Sequence, residues 1–197
     1  MTGALRVVVS REELNSAIER IAGEIQADHP EGLVLVGVLK GSVCFMADLL
    51  RQITVSCAVD FLALSPFANG ESRARILKDL DDDVEGHDVV LVEDIIDTGL
   101  SSRFAAERLE NAGARTVSIC TLLDRRARRI IPLPLRYVGF EVNDDFVVGY
   151  GLDYAESYRN LAQIYAADPA ELASDPSVFT KLAYEAERAT HGVRTKE

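Results

Sequence analysis

The apolar positions follow two periods. Ser10-Arg11-Glu12-Glu13 has the form of a capping box, a serine answered by a carboxylate three residues on. Behind it Leu14, Ala17, Ile18, Ile21 and Ile25 recur at helical spacing, and His29-Pro30 with Gly32 closes that helix. Leu33 to Leu39 is an unbroken, Val-rich apolar run, too short for an ordinary core helix, and predicts a strand buried on both faces. Lys40-Gly41-Ser42 turns the chain into a helix over Val43 to Leu50. Further strands are expected at Cys57 to Leu64, Val89 to Val92 and Thr116 to Leu123, with a helix from Ser101 to Ala112 between the last two and Gly113 at its C-cap. Shorter extended pieces fall near the N-terminus, at 75–78, at Tyr137 to Phe140 and at Phe146 to Gly149. Ser65 to Ala74, with Pro66 and Asn69-Gly70, reads as a loop. Asp79 to Asp88 reads as a solvated acidic turn, without the spacing or terminal Glu of a calcium-binding EF-hand. Apolar strands alternating with helices predict an α/β fold built on a mainly parallel sheet. From Ala166 on, the chain reads as an Ala- and Glu-rich helical tail.

Composition narrows the function classes. At 197 residues the chain suits one core. A net charge of −11 argues against nucleic-acid binding as its main task, yet leaves room for a small anionic substrate, which needs only local positive potential. No apolar run is long enough to span a bilayer and no signal peptide is visible, so a soluble, cytoplasmic protein without a membrane partner is expected. Cys44, Cys57 and Cys120 are far apart, form no CxxC pair and are expected to be buried, reduced thiols. His29, His87 and His191 are expected to be surface residues.

The chemistry concentrates in Val89-Val90-Leu91-Val92-Glu93-Asp94-Ile95-Ile96-Asp97-Thr98-Gly99-Leu100-Ser101-Ser102. Ligands of open α/β sheets bind beyond the carboxyl ends of the strands, and three acids there would line such a crevice. Thr98-Gly99 and Ser101-Ser102 then open a helix whose free N–H groups suit a phosphate. The segment lacks the Gly-Lys-Ser/Thr of a P-loop and the GxGxxG of a dinucleotide site. A single acid there would be read as a helix cap; three acids before Thr-Gly-x-Ser favour a phosphate cradle beside a carboxylate cluster.

This segment resembles the phosphoribosyl pyrophosphate (PRPP) motif of type I phosphoribosyltransferases, in the hypoxanthine-guanine branch. Leu39-Lys40-Gly41-Ser42 is similar to that family's pyrophosphate loop, Ile76 to Asp81 to the stretch after its mobile loop, and Phe146 to Tyr154 with Tyr158-Arg159-Asn160-Leu161 to its base-binding and C-terminal motif. The resemblance runs from about Val7 to Ile164. It implies a phosphoribosyltransferase domain over residues 1–165, with a small hood of short strands, and a tail over 166–197. It implies that Glu93 and Asp94 hold the ribose hydroxyls, directly or through Mg²⁺, and that Asp97 is the general base. Asp97, Thr98, Gly99, Leu100 and Ser101 would hold the 5′-phosphate. Lys40 and Gly41, in a loop whose peptide can be cis, would hold pyrophosphate together with Arg159. Arg125, Phe146, Val147 and Asp153 would form the base side, with Asp153 ligating a second Mg²⁺; taken alone, Phe146 reads as simple core packing. A homodimer or homotetramer is implied as well.

Three departures from the family pattern stand out. The mobile-loop pair Ser-Tyr is replaced by Pro66-Phe67, after Ser65, which removes a hydroxyl, a phenol and a backbone donor. Arg125 stands where the family has a Lys that donates to the purine 6-oxo group; it either reads acceptors on the base or points away as a surface charge. Ala162-Gln163 follows Asn160-Leu161 where Pro-Tyr is more usual. The expected activity is transfer of phosphoribosyl from PRPP to hypoxanthine or guanine. A specialised transferase for a modified purine or deazapurine, and a PRPP- or nucleotide-sensing regulator, are the alternatives.

Overall fold

The capping box forms. Ser10 donates through both its amide and its Oγ to Glu13 Oε2 at 2.8 Å, and helix α1 (Arg11–Asp28) follows. A computed structural model of the chain describes residues 5–65 and 75–190. The remaining elements, in order, are β1 (Arg6–Val9), β2 (Leu33–Leu39), α2 (Val43–Gln52), β3 (Cys57–Leu64), β4 (Ile76–Lys78), β5 (Asp88–Ile96), α3 (Leu100–Asn111), β6 (Thr116–Asp124), β7 (Tyr137–Glu141), β8 (Val147–Val148), β9 (Ile164–Ala166), α4 (Pro169–Ser174) and α5 (Thr180–Thr190). They fall into two units, residues 15–144 and the two flanking stretches taken together.

The larger unit carries a six-stranded sheet in the order β4-β3-β2-β5-β6-β7, parallel except for the edge pair β3/β4. Strands covered on both faces need apolar residues at every position. Accordingly Leu35, Val36 and the whole run Val89 to Val92 are fully buried. Ala105, Ala106 and Leu109 of α3 pack on Val34, Val36, Leu62, Val89 and Leu91. On α1, the expected stripe of Ala17, Ile18, Ile21 and Ile25 is buried, and Arg20 fixes the helix to the edge strand through the Val138 and Gly139 carbonyls.

The smaller unit holds the antiparallel sheet β1-β9-β8. Its core is Val148, Tyr158, Leu161, Tyr165, Leu172, Phe179 and Ala183. The helical tail is therefore part of a core, and Ala166 belongs to a strand, with helix beginning only at Pro169.

Several expectations are corrected. His29 is buried, with Nδ1 3.4 Å from Asp88 and Nε2 3.3 Å from the Tyr137 hydroxyl. Cys120 is buried, but Cys44 and Cys57 are only half-buried; none of the three is in a disulfide. Asp88 is no solvated turn residue: it opens β5 and accepts from Arg115 Nε and Nη2 at 2.9 and 2.7 Å and from Thr116 Oγ1 at 2.7 Å.

Those partners, Arg115 first and Thr116 next, hold the Asp88 carboxyl far below the usual carboxylate range, against the opposing effect of burial. A depressed folded-state pKa contributes stability above the unfolded value, about 3.9, and loses it as pH falls below that value. Asp88→Asn is expected to cost about 2 kcal/mol at pH 7 in urea melts. The gap to the unmodified protein should narrow below about pH 4; a gap that stays constant on acidification would show that the charge contributes nothing.

Candidate active site

The sheet itself creates the crevice. From β2 the chain passes to β3 on one side, and from β5 to β6 on the other, so the strand order reverses between β2 and β5. At such a switch point the loops leaving the carboxyl ends part and expose a cleft. The loop leaving β2 carries a cis Leu39–Lys40 peptide, an exposed Lys40 and a buried Gly41. A Cβ on Gly41 would fall inside the Asp94 carboxylate, so only glycine lets this loop lie against β5. Asp94 is held there by its own strand, with Oδ1 accepting from the Ile95 amide at 2.9 Å.

The apolar run Val89 to Val92 understates its strand. β5 continues to Ile96 because its ladder with β6 continues, Glu93 opposite Thr121 and Ile96 opposite Asp124. Glu93 and Asp94 thus lie within the strand, on opposite faces, instead of sharing its end with Asp97. Glu93 is 5% exposed and accepts from Ser102 Oγ of α3 at 2.8 Å. Burial, and secondarily the Asp94 charge, push its carboxyl up to about 8. Asp97 lies just past the strand. Gly99, at φ 88°, caps α3 with no side chain of its own, and the Leu100 amide donates to Thr98 Oγ1 at 3.4 Å. A cavity of about 300 Å³ opens here, lined by Val38, Ser65, Glu93, Asp97, Thr98, Gly99 and Ser101, among others. A larger cavity, about 500 Å³, lies at the opposite, amino-terminal end of the strands among Gly32, Asp60, Asp88 and Arg115, and contains none of the expected site residues.

Arg125 is no surface charge. It is 4% exposed, and its Nη1 donates to both Asp97 oxygens at 2.9 and 3.0 Å. Arg128 Nη1 stands 3.8 Å from Asp97 Oδ2, and Arg129 Nε donates to the Asp97 carbonyl at 2.9 Å. The register of β5 with β6, Ile96 beside Asp124, brings these residues together across 28 positions of sequence. Spacing along the chain carries no sign of that pairing.

In the smaller unit, Val147 is buried on β8 and Phe146 is half-buried, packed against that unit's core and edge-on to Tyr154 with ring centroids 5.7 Å apart. Core packing thus accounts for part of the Phe146 ring. Arg159 reaches back to a turn: Nη1 donates to the Gly151 carbonyl and Nη2 pairs with Asp153 Oδ1, both at 2.8 Å. Asp153 Oδ2 accepts from the Glu156 amide at 2.9 Å. Pro66 and Phe67 lie outside the described residues. Among the described residues, no three or more His, Cys, Asp or Glu side chains stand grouped as a metal site.

Comparison with known proteins bears on the same region. Residues 10–155 match the family model described as the phosphoribosyl transferase domain. The chain is 42% identical over 170 residues to the hypoxanthine phosphoribosyltransferase of Escherichia coli, covering 83% of this chain and 96% of that protein. It is 41% identical over 169 residues to the hypoxanthine-guanine phosphoribosyltransferase of Bacillus subtilis, covering 84% and 94%. A crystal structure of a hypoxanthine-guanine phosphoribosyltransferase from Bacillus anthracis aligns with a TM-score of 0.80 at 38% identity, covering 82% of this chain and 98% of that one. A switch-point crevice of this kind is common to many α/β proteins, but agreement over nearly the full length of such relatives is not, and the chain belongs to the phosphoribosyltransferase family, in its hypoxanthine-guanine branch.

Proposed function

We propose that this protein transfers the 5-phosphoribosyl group of PRPP to a 6-oxopurine, giving a nucleoside 5′-monophosphate and pyrophosphate. The observation that carries the reading is the cavity in which Asp97 and Glu93 meet the start of α3. The N–H groups of a helix's first turn favour an anion, and we assign Thr98 to Ser101 to the 5′-phosphate. Lys40 and Gly41 are assigned to pyrophosphate through backbone groups, and Arg159 to a phosphate oxygen pair. Phe146 and Val147 are assigned to the base.

The bond from ribose C1 to the pyrophosphate oxygen breaks as the bond from C1 to a purine nitrogen forms. Positive charge develops on the ribose, so catalysis is mainly positioning and electrostatics. The proton lost from the purine imidazole goes to the Asp97 carboxylate. In the structure that carboxylate is held by Arg125, which fixes its direction and adds a donor able to meet a base oxygen.

The oxygen donors present suit Mg²⁺, which keeps several waters and takes one or two carboxylates beside substrate phosphates. Gly41, whose missing Cβ leaves room for the Asp94 carboxylate, supports that fit. Asp94, on the face of β5 that meets Gly41, would hold the ion at the ribose and Asp153 a second one, and bound Mg²⁺ would offset the charge of the leaving pyrophosphate; Glu93, on the opposite face and bonded to Ser102, is not placed to share the first ion.

The test is pyrophosphate release from PRPP and Mg²⁺ with hypoxanthine, guanine, xanthine, adenine or a deazapurine offered singly. Turnover with hypoxanthine or guanine is expected. The buried guanidinium at position 125 supports one second reading, a transferase for a modified base, and activity confined to another panel member would establish it. PRPP binding without turnover on any base would favour a sensor. We further assign a cytoplasmic homodimer or homotetramer, which light scattering on the purified chain and fractionation of cells test.

A further inference from the structure

We propose that the C-terminal helix α5 is a positioning element for Arg159, acting through Glu187 on the amide of Ala162. This rests on the reading of Arg159 as a phosphate-binding residue.

Arg159 sits on a segment without regular secondary structure, which by itself is a poor platform for a residue that must meet a phosphate pair within a fraction of an ångström. The tail grips that segment at three alternate residues. The Tyr158 hydroxyl donates to the Pro176 carbonyl at 2.7 Å. The Tyr184 hydroxyl donates to Asn160 Oδ1 at 2.6 Å. Glu187 Oε1 accepts from the Ala162 amide at 3.0 Å and from the Tyr165 hydroxyl at 3.1 Å. Between these anchors Arg159 is turned toward Gly151 and Asp153, while the Gly151 amide donates to its carbonyl at 2.8 Å and the Tyr150 amide to Leu161 at 2.9 Å.

Glu187 is the anchor with the clearest purpose. It is 8% exposed, and a buried carboxylate is kept only where donors answer it. One of those donors is the Ala162 amide, an N–H that proline at this position would lack. The family model ends at residue 155, before Tyr158, Asn160 and Ala162 and before the tail that holds them.

The experiment uses the full-length chain with Glu187→Ala, Glu187→Gln, Ala162→Pro and Arg159→Ala. Hydrogen exchange is followed over residues 158–165, and steady-state constants are measured for PRPP and for the base found active. Glu187→Ala and Ala162→Pro should speed exchange in that segment and raise the PRPP KM about tenfold, with kcat and the base KM within about twofold. Glu187→Gln, which keeps the Oε1 acceptor, should restore the unmodified values. Faster exchange with an unmoved PRPP KM, while Arg159→Ala still raises it, overturns the proposal and leaves the function intact. An unmoved PRPP KM in Arg159→Ala overturns the assignment of Arg159, and the proposal with it. Ala162→Pro removes one hydrogen bond and leaves the tail itself unchanged, so the test survives if Glu187→Ala does not fold.

Discussion

Asp97→Asn should lower kcat by about 10²–10⁴-fold while the PRPP KM stays within a few-fold. Asparagine keeps the size of the side chain and one acceptor for Arg125, but cannot take up the purine proton at neutral pH. Asp97 is 38% exposed but its partner Arg125 is buried, so the melting temperature should fall by a few degrees while the variant stays folded. Single-turnover measurements of nucleotide formation separate this loss from slow product release. A kcat within threefold of the unmodified enzyme would remove Asp97 from the role of base. It would also leave the Arg125–Asp97 pair as a purely structural contact.

Gly41→Ala should be nearly as damaging by a different route. The added methyl group would occupy the place of the Asp94 carboxylate. That side chain is short and tied to the Ile95 amide, so it has little room to yield, and the loop at Lys40 must move instead. Overpacking of this kind costs about 1–3 kcal/mol, which a folded domain can survive. A displacement of about 1 Å at two binding loops is enough for a 10²-fold loss in kcat/KM for PRPP. Calorimetric titration of the variant with PRPP and Mg²⁺ checks this: unchanged affinity would mean that the β2 loop and Asp94 do not cooperate in binding.

What could be read from the residues, and what could not, divides along physical lines. Long periodic segments announce themselves: the α1 stripe and the Leu33–Leu39 run each contain enough positions to fix a period. β9 is three residues long and owes its existence to the neighbours on either side of it, so no local pattern marks it. The end of β5 was hidden because acids replace the apolar residues there, although the ladder to β6 continues. In the site, the residue types of the Glu93–Ser101 segment pointed to phosphate and ribose chemistry. The faces of Glu93 and Asp94 and the partner of Arg125 depend on strand register, which is a property of the sheet. The polar sequence neighbours of His29 suggest a surface residue, while its actual surroundings come from β5 and β7.

The arginines after β6 have a consequence for long-range electrostatics. Four guanidiniums within Arg125 to Arg129 would ordinarily advertise a polyanion-binding surface. Here each meets a carboxylate: Arg125 meets Asp97, Arg126 is 3.6 Å from Glu141, Arg128 pairs with Asp144, and Arg129 pairs with Asp124. The stretch therefore adds little net field, and the overall −11 sets the sign of the potential out to about a Debye length. A nucleic-acid strand approaching from a distance meets repulsion, whereas a small anion already inside the cleft meets donors at contact range.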